Sequence, residues 1–376
     1  MKTALTLFFL IYVLLSLSSD AMATDFKVTF INPGVSTLDH TTGGFWYNVS
    51  AFMKAVAEDF NIELEVLYAE RNHLMLPRLV QKAANQKRKP DYLIIVNEMK
   101  QGETQLQKAM DAGIKTFMML NTLTDQKSIQ KFGASREKYK NWIGSLIPDN
   151  QFAGYRIAKT VIDKALQEGV TAKDGKLHLV GMAGDYVTPA AIERNDGLKK
   201  AVAEYTNVDL KQIFVCNWSK DTARDKTLHI LNRYPEVGAF WAANDPIALG
   251  TIEAIIASGK KPGRDIFIGG LNWDKPALEK IKDGMLTISM GGHFMTGGWT
   301  MVLLYDYHHG KDFAEEGVAL KMKIFDEINA TNIEEYQQKF GDRNWDSIDF
   351  TRFSKVRNPN LKKYSFSLAP LLQQKK

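Results

Sequence analysis

Short apolar runs alternate with amphipathic segments along most of the chain from residue 26 onward. Each run has the length of a buried strand, and each intervening segment places apolar side chains three or four residues apart, as a one-faced helix does. Strands that alternate with helices predict parallel sheets with right-handed crossovers. The predicted strands are 27–31, 62–67, 92–96, 115–120 and 142–147 in the first half, and 176–184, 211–216, 239–243, 265–270 and 286–290 in the second.

This order of elements occurs twice, which predicts an α/β fold of two similar Rossmann-like lobes with a cleft between them. The polar stretch 122–141 interrupts the order and is interpreted as an irregular surface insertion between the lobes. The sequence contains no Pro-rich linker, and a hinge made of crossing strands would need none.

The junction at residues 238–250 is the most informative single stretch. The apolar run 239–243 ends at Asn244, and a helix is predicted to begin at once, with Asp245 as its N-cap and Pro246 in its first turn. Ligands of open α/β sheets bind outside the carboxyl ends of the strands. We therefore expect Asn244 to lie in a ligand pocket.

Five further predicted strands also end at an asparagine. A side-chain amide offers two donors and two acceptor lone pairs without a charge, so a ring of amides suits a neutral, hydroxyl-rich ligand. The alternative, that asparagine favours turns and caps, stays open for each position. The six strand-ending residues are Asn32, Asn97, Asn121, Asn217, Asn244 and Asn272.

Two further features are expected beside the strand ends. Phe45 and Trp46 begin a predicted helix, where they could stack on the apolar face of a sugar ring or pack against the lobe. Asp149 and Asn150 begin the helix predicted over 151–167. Asp149 could contact ligand or cap that helix, and the cap is the favoured interpretation.

The first 23 residues have the pattern of a cleaved secretory signal. Lys2 precedes an apolar core, and Ala21-Met22-Ala23 forms a small-x-small site, which predicts cleavage after Ala23. An uncleaved anchor is the alternative. Cys216 is the only cysteine, so no intrachain disulfide can form, and a disulfide-free secreted chain of this size favours a bacterial periplasm.

Composition excludes several classes of protein. The 376 residues carry a formal net charge of +5 with scattered Lys and Arg, which argues against nucleic-acid binding. We find no phosphate-binding Gly-rich loop, serine nucleophile elbow or zinc-ligand spacing, so we expect no enzyme activity, cofactor or metal. A sugar-responsive repressor would carry a DNA-binding motif where this chain has its apolar leader.

Several motifs together resemble periplasmic sugar-binding proteins of the ribose/galactose-binding type, over about residues 26–328. The most specific is the strand-Asn-Asp-x-x-Ala-Leu-Gly signature at 240–250, supported by the Phe45-Trp46 pair and the runs 193–202 and 270–286. The resemblance implies a hinge of three crossing strands. It assigns 24–148 plus about 293–320 to the first lobe, and 149–292 plus about 321–330 to the second.

The resemblance also implies which residues contact the sugar. They are Phe45, Trp46, Asn97, Asn121, Trp218, Asn244 and Asn272, with His293 in a register uncertain by one residue and Arg194 competing with Ile192 for one position. The chain departs from the ribose type at Asn121-Thr122 and Asn272, where that type has charged residues. A largely amide pocket binds more weakly than a charged one, so ribose itself is not expected.

The implied function is capture of a small neutral sugar by lobe closure, and delivery by a monomer to an ABC-type importer. The alternative is presentation of a ligand to a membrane sensor protein. Residues 331–376 form a C-terminal extension, with a capping box from Thr331 and Glu334 predicted for a helix over 332–340. We interpret the extension as a strap on the second lobe, with docking to a partner protein as the alternative.

Overall fold

The computed structural model describes residues 24–38 and 40–374. The predicted signal peptide therefore lies outside the described residues. The strands are β1 (Lys27–Asn32), β2 (Glu63–Tyr68), β3 (Tyr92–Ile95), β4 (Lys115–Met119), β5 (Trp142–Pro148), β6 (Leu177–Ala183), β7 (Val208–Val215), β8 (Val237–Ala242), β9 (Phe267–Leu271), β10 (Ile288–Gly291), β11 (Ala319–Met322) and β12 (Asp326–Ile328). The helices are α1 (Phe45–Asp59), α2 (Leu76–Ala84), α3 (Gly102–Asp111), α4 (Gln126–Phe132), α5 (Asn150–Gln167), α6 (Pro189–Val202), α7 (Lys220–Arg233), α8 (Asp245–Ala257), α9 (Lys275–Lys282), α10 (Thr296–His308), α11 (Ile333–Phe340) and α12 (Ala369–Leu372).

The strands of the described residues form two six-stranded sheets, one in each lobe. The order is β11-β5-β4-β3-β1-β2 in the first lobe and β12-β10-β9-β8-β6-β7 in the second. Neighbouring strands pair in parallel except β10 and β12, which are antiparallel. The predicted α/β class with two lobes is confirmed.

The apolar runs form strands because helices cover both faces of each sheet. Every residue of β3 and β8 is buried, as expected for parallel strands inside an α/β lobe. The amphipathic segments supply the covering faces: α1 buries Val49, Phe52 and Val56 at helical spacing. In the part of the chain that is described, no helix is both long and apolar enough to cross a membrane.

Three segments of the described chain join the two sheets. They connect β5 to α5, β10 to α10 and β11 to β12. Gly292 lies in the second of these with φ +89°, and a Cβ there would come within 2.9 Å of the Ile324 carbonyl oxygen in the third. Two crossing segments therefore touch at a position that favours glycine.

The stretch 122–141 is not the irregular insertion that its polarity predicted. It contains α4, which the Asp125 side chain caps by accepting from the Ser128 N–H at 3.0 Å. Leu123 and Phe132 are buried in the core of the first lobe. Two widely spaced apolar anchors are enough to fix this segment, and they are too few to produce a periodic pattern.

Two predicted helix caps are wrong by one position in each case. Asn244, not Asp245, caps α8, because its Oδ1 accepts from the Ile247 N–H at 3.0 Å while Asp245 is the first helical residue. Asn332 stands at the N-cap of α11, and the predicted Thr331–Glu334 capping box does not form. The Thr331 hydroxyl instead donates to Asn329 Oδ1 at 2.7 Å.

The C-terminal extension, residues 331–374 as described, contacts both lobes. In α11, Tyr336 lies against Trp273 of the second lobe with ring centroids 5.1 Å apart. Beyond α11 the chain passes to the first lobe, where Phe350 meets Phe52 edge-on and Phe366 stacks on Trp299. The interpretation as a strap on the second lobe thus describes only the start of the extension.

Candidate functional site

A small cavity of about 70 Å³ lies between the lobes at the carboxyl ends of their strands. We call it the interlobe cavity. Eight of the ten residues predicted to contact ligand line it: Phe45, Trp46, Asn121, Arg194, Trp218, Asn244, Asn272 and His293. Most of the residues predicted from the sequence therefore lie together in the folded chain. Their contact with a ligand stays a prediction.

Each lobe presents a tryptophan that rests on a glycine. A Cβ at Gly34 would lie 2.0 Å from the Trp46 side chain, and a Cβ at Gly184 would lie 2.2 Å from the Trp218 ring. Only glycine leaves room for these rings. Trp218 Nε1 also donates to Asp185 Oδ2 at 2.8 Å, which fixes the orientation of the ring.

His293 is held in a stack of rings beside the cavity. Its imidazole lies 4.4 Å from the Phe45 ring and 4.7 Å from the Phe325 ring. Burial is the main reason that the pKa of His293 lies well below its usual value, and the nearby Arg194 cation lowers this pKa further. The imidazole is therefore neutral, and its buried Nδ1 has no hydrogen-bond partner among the residues described.

Arg194 is a buried cation that pairs with no carboxylate of the described residues. Its Nε donates to Asn150 Oδ1 at 3.0 Å and its Nη1 to the Ala243 carbonyl at 2.9 Å, both neutral acceptors. Burial lowers its pKa to about 9, so it stays charged at neutral pH. Ile192, the competing candidate, is 44% exposed and does not line the cavity.

Arg71 and Glu98 are the charged members of the lining that were not predicted. They form an ion pair of 3.2 Å, and burial raises the pKa of Glu98 while Arg71 opposes that rise. Arg71 has a φ of +60°, and Met99, the residue after Glu98, has a φ of +48°. Each residue of the ion pair therefore lies in or beside a tight turn. The only signal in the sequence was that Glu98 follows a strand-ending asparagine.

Asn97 and Asp149 are not brought to the cavity. Asn97 donates to the Thr122 carbonyl at 2.8 Å and accepts from the Gly102 N–H at 2.9 Å, so both ends of its amide are engaged. Asp149 caps α5 by accepting from the Phe152 N–H at 3.2 Å. The residues that follow them, Glu98 and Asn150, line the cavity instead.

The six strand-ending asparagines divide into two groups. Asn121, Asn244 and Asn272 line the cavity, whereas Asn32, Asn97 and Asn217 do not. Asn32 instead donates to the Trp46 carbonyl at 3.0 Å and to Ser50 Oγ at 2.9 Å. It thereby holds the start of α1, which carries the aromatic pair.

Direct hydrogen bonds join the lobes around the cavity. Asn121 Oδ1 of the first lobe accepts from the Ala190 N–H of the second at 2.9 Å. The Thr41 carbonyl accepts from the Lys220 N–H at 3.0 Å. Polar groups of both lobes therefore line one shared cavity.

Two α/β lobes joined by three crossing segments, with a polar and aromatic cavity between them, define a class of protein that captures a ligand between its lobes. The chain belongs to the periplasmic binding protein domain family, whose model matches residues 34–312.

Similar proteins support this assignment. A crystal structure of a periplasmic sugar-binding protein from Pseudomonas fluorescens is 33% identical with a TM-score of 0.82, covering 93% of this chain and 100% of that one. The ribose import binding protein RbsB of Salmonella typhimurium is 29% identical over 172 residues, 45% of this chain and 53% of the relative. The D-allose-binding periplasmic protein of Escherichia coli is 24% identical over 214 residues, 56% and 64% of the two chains. The matches thus span 53% of the first of these two relatives and 64% of the second.

Proposed function

We propose that the protein captures a small neutral sugar or sugar-like ligand in the interlobe cavity and delivers it to an ABC-type importer. The observation that carries this proposal is the pairing of aromatic rings from both lobes around one cavity. Phe45 and Trp46 come from the first lobe, and Trp218 comes from the second.

The lining chemistry suits a sugar. A pyranose or furanose has apolar faces that stack on aromatic rings and hydroxyl groups that need donors and acceptors. Asn121, Asn244 and Asn272 offer both without charge. The unpartnered Nδ1 of His293 adds another polar atom. Buried polar groups that a ligand must satisfy select strongly for hydroxyls over apolar analogues.

Closure follows from the two-sided site. A ligand shifts the equilibrium toward a closed form only if it binds that form better. Here contacts from both lobes are available only when the lobes approach, so binding and closure are coupled through the hinge segments. The closed surface is what a membrane permease would recognise.

Delivery to an importer, rather than presentation to a sensor, is supported by the relatives. The relatives include a ribose import binding protein and a D-allose-binding periplasmic protein. No observation in the described residues favours the sensory role. The proposal also includes cleavage after Ala23, a periplasmic location and a monomeric state.

A thermal-shift screen of residues 24–376 against pentoses, hexoses and polyols tests the proposal. A ligand that binds only the folded state adds about 2.7 kcal/mol at a hundredfold excess over its dissociation constant. At least one sugar should raise the melting temperature. If no sugar or polyol of the panel raises the melting temperature, the proposal is contradicted.

Asn244→Ala and Asn97→Ala form a matched pair for that screen. Each removes a hydrogen-bonded strand-end amide, but only Asn244 lines the cavity. We expect both variants to lose some stability and only Asn244→Ala to lose the sugar-induced shift. Equal shifts in both variants would place the binding site elsewhere.

A further inference from the structure

The turn that places Asn272 in the cavity has an unusual backbone. Asn272 and Trp273 have φ of +146° and +60°, in a region that side-chain-bearing residues seldom adopt. Such a conformation persists only when its surroundings hold it. The holding contacts therefore decide where the Asn272 amide lies.

Hydrogen bonds from the second lobe secure part of this turn. The Asn272 N–H donates to the Met290 carbonyl at 2.8 Å, and the Asp274 N–H donates to Asp245 Oδ2 at 2.9 Å. The buried Trp273 ring lies against Gly291, where a Cβ would come within 2.3 Å of it. These contacts leave the Trp273 carbonyl oxygen to be satisfied.

That carbonyl is satisfied from the C-terminal extension. Arg343 Nη2 donates to the Trp273 carbonyl oxygen at 2.7 Å. The Arg343 cation also acts on the neighbouring Asp274, opposing the rise in that carboxyl's pKa that burial causes. A charge-assisted bond of this length is among the stronger hydrogen bonds in a protein.

Arg343 is itself held from the first lobe. Trp345, two residues later, lies 5.4 Å from the Phe52 ring and 5.4 Å from the Phe294 ring. The Phe350 N–H then donates to Asp59 Oδ2 at 2.9 Å. The guanidinium thus reaches from an anchor on the first lobe to a turn of the second lobe that borders the cavity.

We propose that Arg343 is a positioning residue of the ligand site, linking the first-lobe anchor of the extension to the turn that presents Asn272. The turn holds its left-handed backbone because the extension satisfies the Trp273 carbonyl. The extension is then part of the site's framework and not a separate strap. The link to ligand binding rests on the proposed function, whereas the link to the turn does not.

Hydrogen–deuterium exchange of residues 24–376 without ligand tests the proposal. Arg343→Met keeps the aliphatic stem and removes the donor, and Arg343→Lys restores a charged donor. Arg352→Met is the matched control, because Arg352 is an exposed arginine of the same extension. We expect exchange in the peptide spanning 270–276 to rise about tenfold in Arg343→Met, with partial rescue in Arg343→Lys and no change in Arg352→Met.

Wild-type protection of that peptide in Arg343→Met would overturn the proposal. A uniform rise across all peptides would also overturn it, because a merely structural role acts on the whole fold. If Arg343→Met fails to fold, Arg343→Lys decides: near-wild-type protection of 270–276 supports the proposal, and full loss refutes it. The measurement needs no ligand, so failure of the sugar screen and failure of this inference are distinguishable.

Discussion

Aromatic side chains collect in two places, around the interlobe cavity and beneath the C-terminal extension. Beneath the extension, Phe52 and Trp299 are fully buried and meet each other and Phe350 of the extension edge-on. Around the cavity, Trp46 and Trp218 are only partly buried, and each presents its ring toward open space. The same residue types therefore act as core in one region and as lining in the other.

Asp306 and His293 show a similar contrast between the two regions, although Trp299 Nε1 beneath the extension also lacks a partner among the described residues. Asp306 beneath the extension accepts from the Lys355 N–H at 2.7 Å, from the Tyr364 hydroxyl at 2.8 Å and from Ser354 Oγ. His293 beside the cavity has a buried Nδ1 with no partner in the described chain. The hydrogen bonds of Asp306 therefore hold the extension in place, whereas Nδ1 of His293 has hydrogen-bonding capacity left for a ligand.

The largest expected effect is on the extension's anchor. Asp306→Ala leaves several buried donors without an acceptor, so we expect the free energy of unfolding to fall by about 3 to 4 kcal/mol. Urea unfolding of residues 24–376 without ligand measures it. Asp346→Ala, an exposed carboxylate of the extension, should change it by less than about 0.5 kcal/mol. Similar losses in both variants would refute the anchor role.

A smaller effect is expected from the cavity tryptophans. Trp218→Ala should weaken binding of a sugar found in the screen by about thirtyfold, near 2 kcal/mol, because one stacking face is lost. Trp46→Ala should do the same from the other lobe. Calorimetric titration measures both. Trp299→Ala removes a ring beneath the extension and can reach the site only through the extension, so it should weaken binding by the folded protein far less. A loss in Trp299→Ala as large as that in Trp218→Ala would contradict the comparison.

The smallest effect concerns His293 and pH. Its pKa lies well below the usual 6.5 in the folded protein, so the unfolded chain binds more protons between those two values. Stability from this group is therefore lost as pH falls below about 6.5. We expect the wild type to lose up to about 1.4 kcal/mol per pH unit more than His293→Gln over pH 6.5 to 5.

Unfolding curves at several pH values check this difference. Groups whose pKa burial raises, such as Glu98, act with the opposite sign but are common to both proteins and cancel in the comparison. Parallel pH profiles for the wild type and the variant would show that His293 is protonated normally.

The sequence predicted the order of elements well because a parallel strand buried on both faces is a nearly continuous apolar run. The strand ends then indicated Asn121, Asn244 and Asn272 directly. Which of two successive residues faces the cavity was harder to predict, because the chain turns from a strand into a helix at these positions and the side chains on either side of the turn point in different directions. This is why Asn97 and Asp149 were selected, while Glu98 and Asn150 line the cavity.

Other features had no periodic signal. Arg71 enters the site from a turn with φ of +60°, which the residue types around it do not specify. The aromatic residues of the extension predicted burial but not the surface that covers them. Arg343 reaches the Trp273 carbonyl from 70 residues away along the chain, a contact that depends on the folded route of the extension.

A crystal structure of residues 24–376 with a sugar from the screen tests the central claim most directly. The account predicts one sugar in the interlobe cavity, with its ring against Trp46 or Phe45 on one side and Trp218 on the other. Its hydroxyls should bond Asn244, Asn272 and the guanidinium of Arg194. A sugar bound outside the cavity, or one that contacts a single lobe, would contradict the account.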